Sequence, residues 1–316
     1  MKAIGGYFGL ETGQGSPLHR EALRLNSARN GFEYILRARR YRRVYLPYYT
    51  CGVMFEAPRK LGVPVSLYGI DERLEPVSLP DLREDEAFVY TNYFGLKQDC
   101  VESLASRYGE QLIVDDAQAF FAPRIHGIDT IYSPRKFFGV PDGGYLYTEA
   151  LWDEAFPQAD SLQRMAHLLK RAATGPESGY ADFRKAEASL DNAPVQRMSS
   201  LTSTLLEGCD YAFSARRRRE NYLFLDRVLR SSNRLGLPLP DEAVPMVYPF
   251  FTEDRDVRKH LLENRIYVAR YWDLSENGAA EGFGFESRLA EGMIPLPIDQ
   301  RYGEEDMQRI LDVIAN

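Results

Sequence analysis

Two side chains in the middle of the chain have the types and spacing for chemistry on a carbonyl: Asp115, and Lys136 twenty-one positions later (136 − 115). Asp115 follows the apolar run Leu112-Ile113-Val114 and opens Asp115-Asp116-Ala117-Gln118. Lys136 closes Ser133-Pro134-Arg135-Lys136, and the return Gly139-Val140-Pro141-Asp142-Gly143-Gly144 comes next. A lysine amine on a β-segment can condense with an aldehyde as a Schiff base. A carboxylate at a neighbouring strand end can keep a ring nitrogen protonated, so that the ring accepts carbanion electrons. The glycines would let backbone approach such a cofactor with no Cβ in the way. Singly, these residues carry little weight, since a lone lysine is most often a solvated surface group and a strand-end aspartate a turn or cap residue. Ser133-x-x-Lys136 also matches the serine nucleophiles of penicillin-binding type, but their Ser-Asp-Asn and Lys-Thr-Gly partners are absent. Order and spacing favour the lysine chemistry.

Such groups need elements to position them, and the chain has room for these. At 316 residues and 36.1 kDa it can form one large domain and a smaller one. A hydrophobic content of 44% with 27% charged residues is ordinary for a globular protein. The net charge of −7 offers no global field for phosphates, so no nucleic-acid partner is expected. Arg216-Arg217-Arg218-Arg219 is read as a solvated helix face. Cys51, Cys100 and Cys209 are odd in number and far apart, which fits reduced thiols. Neither they nor His19, His126, His167 and His260 have metal-ligand spacing, and no metal is expected. There is no signal-peptide pattern and no run of 18 apolar residues, so the expected location is cytoplasmic and off the membrane.

The first half alternates helix-like and strand-like runs. Asn26 is placed to cap a helix over 27–39, with Ala28, Phe32, Ile35 and Leu36 on one face. Strands follow at 44–46, 63–68, 87–90 and 112–114, with helices over 50–61 and 99–108 between them. This βαβα order predicts a mostly parallel sheet with helices on both faces, whose ligands sit beyond the carboxyl ends of the strands. Pro47 to Thr50, Asn92 to Gly95 and Asp115 to Gln118 fall at those ends. From 150 to 200 the pattern is helices and polar loops, and a long helix over 210–231 follows. A small α+β domain is predicted beyond it, from strands at 247–251, 266–268 and 294–297, a helix over 255–264 and a last helix after Gly303. Residues 275–287 read as a mobile, glycine-rich loop.

With these motifs in order, the chain resembles the nucleotide-sugar aminotransferases of the DegT type, within the fold type I enzymes that use pyridoxal 5′-phosphate (PLP). The similarity runs over nearly the whole length. Asp115-Asp116-Ala117-Gln118 is similar to that family's "D-A-A-Q", Thr91 to Gly95 to its "V-H-x-x-G", and Ile294-Pro295-Leu296-Pro297 with Glu304-Glu305-Asp306 to its closing segment. The resemblance implies an α/β fold with a mostly parallel large domain over 1–209. A linking helix and a small α+β domain would make up 210–316. It also implies Lys136 as the Schiff-base lysine, Asp115 as the ring-nitrogen partner and Gln118 near the cofactor hydroxyl. Ser27, Ala28 and Arg29 would start the helix that cradles the phosphate, because helix amides favour an anion. Tyr49 would stack on the ring. Ser133 or Thr130 would contact the phosphate. Side chains alternate along a strand, so only one of Asp115 and Asp116 should face the ring, and the spacing to Gln118 selects Asp115.

The chain departs from the family at several places. Asn92 stands where the family usually has His, and Val195 where an asparagine normally reaches the neighbouring subunit's phosphate. The implied activity is amino transfer to a keto carbon of a nucleotide-linked sugar, in amino-sugar or surface-polysaccharide biosynthesis. Glutamate is the expected donor, and a homodimer the expected assembly. Two rivals remain open: a PLP-dependent sugar dehydratase, in which the lysine is replaced by His, and a non-catalytic PLP-fold sensor or binding protein. Specificity is expected in loops, including Ile4-Gly5-Gly6-Tyr7-Phe8.

Overall fold

Side chains alternate between the two faces of strands that are buried on both, and this orders the molecule into layers. The structure is a computed structural model that describes residues 10, 12, 13, 15–278 and 281–315; Ile4 to Phe8 lie outside the described residues. In chain order the first half contains β1 (Leu23–Leu25), α1 (Ala28–Arg39), β2 (Arg43–Pro47), α2 (Glu56–Leu61) and β3 (Val65–Tyr68). It continues with β4 (Glu86–Thr91), α3 (Gln98–Tyr108), β5 (Leu112–Asp116), β6 (Asp129–Tyr132) and β7 (Gly144–Tyr147). These strands form one seven-stranded sheet in the order β1-β7-β6-β5-β4-β2-β3. β6, β5, β4, β2 and β3 run parallel, while β7 is antiparallel to both β6 and β1. The reversal follows from the connection, since the short glycine return between β6 and β7 is too short for a parallel crossover.

The sheet separates two buried layers. Ile113, Ile131 and Leu146 pack with Phe32 and Ile35 of α1 on one face, and Leu112, Val114 and Tyr132 pack on the other. Burying Phe32 and Ile35, which are 1% and 0% exposed, stabilises the α1 layer by about 1.5–3 kcal/mol each. Gly31 lets α1 come close, since a Cβ there would lie 2.9 Å from Ile131 Cγ2. The cap of α1 is Ser27 rather than Asn26, with Ser27 Oγ accepting from the Asn30 amide at 3.2 Å.

The second half supplies α4 (Ala166–Thr174), α5 (Pro176–Ala188), α6 (Ser200–Glu207) and α7 (Tyr211–Leu229). After them come β8 (Tyr248–Phe251), α8 (Asp256–Glu263), α9 (Gly284–Gly292), β9 (Met293–Leu296) and α10 (Glu304–Ala315). β8 and β9 pair antiparallel as a separate two-stranded sheet. Three local expectations change. The helix over 50–61 is a 3-10 turn at Gly52–Phe55 followed by α2, and 266–268 is not a strand. The expected loop at 275–287 includes the start of α9, whose buried Glu286 accepts from the Ile70 amide at 2.7 Å. Glycines at 278, 282 and 284 hide this helix from a pattern reading, but its Leu289 and Ala290 are buried.

Candidate active site

Because side chains alternate, the register of β5 decides which carboxylate faces α1. Asp115 pairs with Thr91 of β4 and Ile131 of β6, and shares its face with Ile113 and the α1 layer. Asp116 pairs with Tyr132 and points to the opposite face. Asp115 Oδ1 accepts from the Ala117 amide at 3.0 Å. Burial raises the Asp115 carboxyl above its ordinary value; the Lys136 ammonium, the Ala117 amide and the Thr91 hydroxyl oppose that rise. Asp116 is raised well above the ordinary range by burial, with the Asp115 charge adding to it, and its Oδ1 has no hydrogen-bond partner.

Lys136 is not on a β-segment but ends a 3-10 turn, Pro134–Lys136, directly after β6. It is exposed and, among the described residues, has no hydrogen bond or ion pair. Its charge nevertheless acts on Asp115, so the two expected chemical groups are brought together at the carboxyl ends of the parallel strands. Ser133 continues the alternation of Asp129 and Ile131 and points to the Asp115 face, with its hydroxyl uncommitted. Thr130 faces the other layer and donates to Ile128 O at 3.1 Å. Of the two candidates for a phosphate contact, only Ser133 shares a face with Asp115.

The amino end of α1 lies against this turn. Gly143 N donates to Asn26 O at 2.7 Å, and a Cβ on Gly144 would stand 2.4 Å from Ser27 C and 2.6 Å from Ala28 N. The glycine pair thus admits the backbone of Ser27 and Ala28 rather than a ligand. Arg29 forms ion pairs with Asp191 at 2.5 Å and with Glu56 at 3.7 Å, and Arg135 bonds Glu187. Both guanidinium groups reach Glu187, which ties α5 to the turn carrying Lys136. Asp142 belongs to the scaffold, accepting from Ser199 N at 3.0 Å and Ser199 Oγ at 2.8 Å at the start of α6.

Tyr49 does not present a face for stacking. Its ring is 0% exposed and packed against Tyr93 and Trp272, and its hydroxyl donates to Tyr271 O at 2.7 Å. It is a core tyrosine in this structure, because the segment at 271–272 closes over it. Gln118 is also buried; its Oε1 accepts from Phe94 N at 3.0 Å, while its Nε2 has no partner.

Arg218 escaped the sequence reading. It lies in the four-arginine run expected to be a solvated face, yet it is 2% exposed. Nη1 donates to Met246 O at 2.8 Å, and its guanidinium lies 4.5 Å from the centre of the Phe137 ring. Burial pulls its pKa from 12.5 down to about 10. Gln300 Nε2 donates to Phe137 O at 2.8 Å, so two groups far along the chain fix the residue that follows Lys136. Thr91, buried at the end of β4, stands opposite Asp115 in the sheet register. Among the described residues, no cluster of His, Cys, Asp or Glu could hold a metal ion, and no helix is long and apolar enough to cross a membrane.

No protein-family model and no curated protein matches the chain. Solved structures do. A DegT DnrJ EryC1 StrS aminotransferase from Brucella abortus superposes with a TM-score of 0.63 at 16% identity, over 93% of this chain and 85% of that one. DesV of S. venezuelae, solved in complex with a ketimine intermediate, gives 0.63 at 18% identity over 93% and 83%. The aminotransferase TlmJ from Streptoalloteichus hindustanus gives 0.65 at 17% identity over 93% and 84%. The chain has the fold of these solved structures. The mostly parallel α/β architecture expected for fold type I PLP-dependent transferases is therefore the one observed.

Proposed function

We propose that this protein is a PLP-dependent aminotransferase that places an amino group on a keto carbon of a nucleotide-linked sugar, with an amino acid, glutamate, as donor. The supporting observation is the uncommitted Lys136 amine beside the buried Asp115 carboxylate, on the face where α1 begins. PLP fits the unpaired groups of this region. Gln118 Nε2 is a buried donor with no partner, and α1 has no acidic residue in its first turn to oppose an anion. Ser27, Ala28 and Arg29 would hold the phosphate with Ser133, and Asp115 the ring nitrogen. When bound, PLP supplies an aldehyde for the amino group and a ring that accepts electrons from the reacting carbon. The Asp115 carboxylate would hold the ring-nitrogen proton through a charge-assisted bond. Lys136 Nζ would take the proton from the substrate carbon and return it during transfer.

The structural relatives support this reading, since several are named sugar aminotransferases, and one of them, from Streptococcus pneumoniae, was solved in a PLP form. We further propose that α7 divides the chain into a cofactor-binding part (1–209) and a small part (210–316), that two copies assemble as a homodimer, and that the enzyme works in the cytoplasm. The free thiols Cys51, Cys100 and Cys209 suit that compartment. The deciding experiment loads the protein with PLP, adds glutamate until the cofactor's visible absorption disappears, and then screens keto nucleotide-sugars. Recovery of the absorption with one of them supports the function. No change with glutamate or any other amino acid would remove amino transfer from consideration.

A further inference from the structure

Among the described residues no hydrogen bond or ion pair holds the Lys136 amine, so the backbone of the Pro134–Lys136 turn alone aims it. The leading end of that turn is fixed by the sheet, where Tyr132 pairs with Asp116, and by Pro134, which restricts its own φ. The trailing end runs into an irregular segment, 137–142. A single 3-10 turn holds itself weakly, because its hydrogen bonds are poorly aligned. One peptide group, between Phe137 and Phe138, supplies the missing anchor. Its N–H, on Phe138, closes the turn by donating to Pro134 O at 2.8 Å. Its carbonyl, Phe137 O, accepts from Gln300 Nε2 at 2.8 Å and from Arg218 Nη2 at 3.4 Å. Both ends of this peptide are held, and Lys136 stands directly before it.

The two donors to Phe137 O differ in what else they do. Arg218 makes its shorter bond, 2.8 Å, to Met246 O and packs on the Phe137 ring, so it belongs to the core between α7 and β8. Gln300 lies between β9 and α10, in a stretch that Asn221 of α7 grips through Ile298 O at 3.0 Å and Tyr302 O at 3.1 Å. Its neighbours Asp299 and Arg301 pair with each other at 2.6 Å. Gln300 Oε1 is buried and has no hydrogen-bond partner, so only the donor end of the side chain is used. Burying an unmatched amide oxygen costs stability, which an apolar side chain of the same length would avoid. For the fold alone a glutamine is a poor choice here. For the Phe137 carbonyl it is the closer of two side-chain partners.

We propose that Gln300 is a positioning residue for Lys136: by holding Phe137 O it keeps the turn, and with it the lysine amine, directed at the Asp115 side of the site. The inference rests on the amino transfer proposed above. Gln300 acts through backbone and not by contact with the reacting atoms, so its removal should affect the steps in which Lys136 Nζ reacts and leave the affinity for substrates in place. Such steps are sensitive to small displacements, since a shift of about 1 Å in a reacting group can lower a rate on the order of a hundredfold.

The test compares wild type with Gln300→Met, which keeps the length of the side chain and removes its donor, and with Gln300→Glu as a second variant lacking that donor. The control is Arg301→Gln, which loses the Asp299 ion pair in the same stretch and leaves the Phe137 bond in place. Thermal unfolding confirms that each protein is folded. Cofactor-free protein is mixed with PLP and the growth of the cofactor's visible absorption is followed, after which kcat and KM for the amino donor are measured. Both Gln300 variants should slow that growth and lower kcat about tenfold or more, with KM within about twofold of wild type. Arg301→Gln should match wild type in each quantity. Unchanged rates in the Gln300 variants, or equal losses in Arg301→Gln, overturn the positioning role and leave amino transfer standing. Wild-type protein that gains no absorption with PLP removes the proposed function, and this inference with it.

Discussion

Asp115 and Asp116 are adjacent carboxyl groups with opposite outlooks, and strand alternation is the whole reason. Asp115 shares a face with α1 and feels the Lys136 charge, whereas Asp116 is enclosed with Tyr132 and Asn92. Asp115→Asn removes the charge proposed to hold the ring-nitrogen proton and should cut amino transfer by about a hundredfold or more, on the scale of losing one electrostatic stabiliser. Asp116→Asn should be milder in activity and should stabilise the fold. The sign follows from linkage: a folded-state pKa raised above the unfolded value of about 3.9 makes the native state lose stability as pH climbs from there toward the folded value. The gain from Asp116→Asn therefore grows between acid and neutral pH. Activity assays paired with denaturant midpoints at pH 5 and pH 8 check both outcomes. Substitutions with the reverse ranking would show that the register assigned to β5 is off by one.

Elements place these residues with help from distant parts of the chain. The turn bearing Lys136 is short, and its next residue, Phe137, is held by Arg218 of α7 and by Gln300. Arg218→Gln leaves carbonyls and a packed ring without their partner, and should cost about 2–4 kcal/mol by chemical denaturation. Arg216→Gln, on the exposed side of the same helix, should stay within about 0.5 kcal/mol. The two arginines differ by helix face: α7 buries Ser214, Arg218, Tyr222, Leu225 and Leu229 at successive turns and leaves Arg216 exposed, and the run of four charges hides that spacing. Short elements with one clear pattern were legible: the apolar β5, the amphipathic α1 and the succession of β2 through β5 all follow from spacing. The 3-10 turn at Lys136, the α9 helix among glycines and the enclosure of Tyr49 were not. Each depends on tertiary contacts with segments more than 80 residues away, as in the Tyr49 hydroxyl to Tyr271 or Phe137 to Arg218. The place of Asp115 at the end of β5 was legible because a local rule, alternation, governs it, whereas the α1 cap moved from Asn26 to Ser27.

At the scale of the whole molecule, acid sensitivity and assembly are the accessible properties. His19 is 6% exposed, packed against Tyr132 with ring centres 4.2 Å apart and bonded to Phe120 O at 2.8 Å. Burial holds its pKa at about 4 against an ordinary 6.5, so the ring is neutral in the folded protein. A lowered histidine pKa gives stability that is complete above 6.5 and is lost as pH falls toward 4. The expected loss is about 3 kcal/mol, to be read from urea midpoints across that window. His19→Asn should flatten the slope there, and an unchanged slope would remove His19 as its cause. The proposed homodimer predicts a light-scattering mass near twice 36.1 kDa that persists on dilution. A monomer with full amino-transfer activity would instead mean a self-contained site.

The central claim is that Lys136 is the residue joined to the cofactor, and one measurement reaches it directly. Protein saturated with PLP is reduced with borohydride, digested and mapped by mass spectrometry. The account predicts a single pyridoxyl label on Lys136, and none in Lys136→Ala. A label on another lysine, or no label in saturated protein, would contradict it.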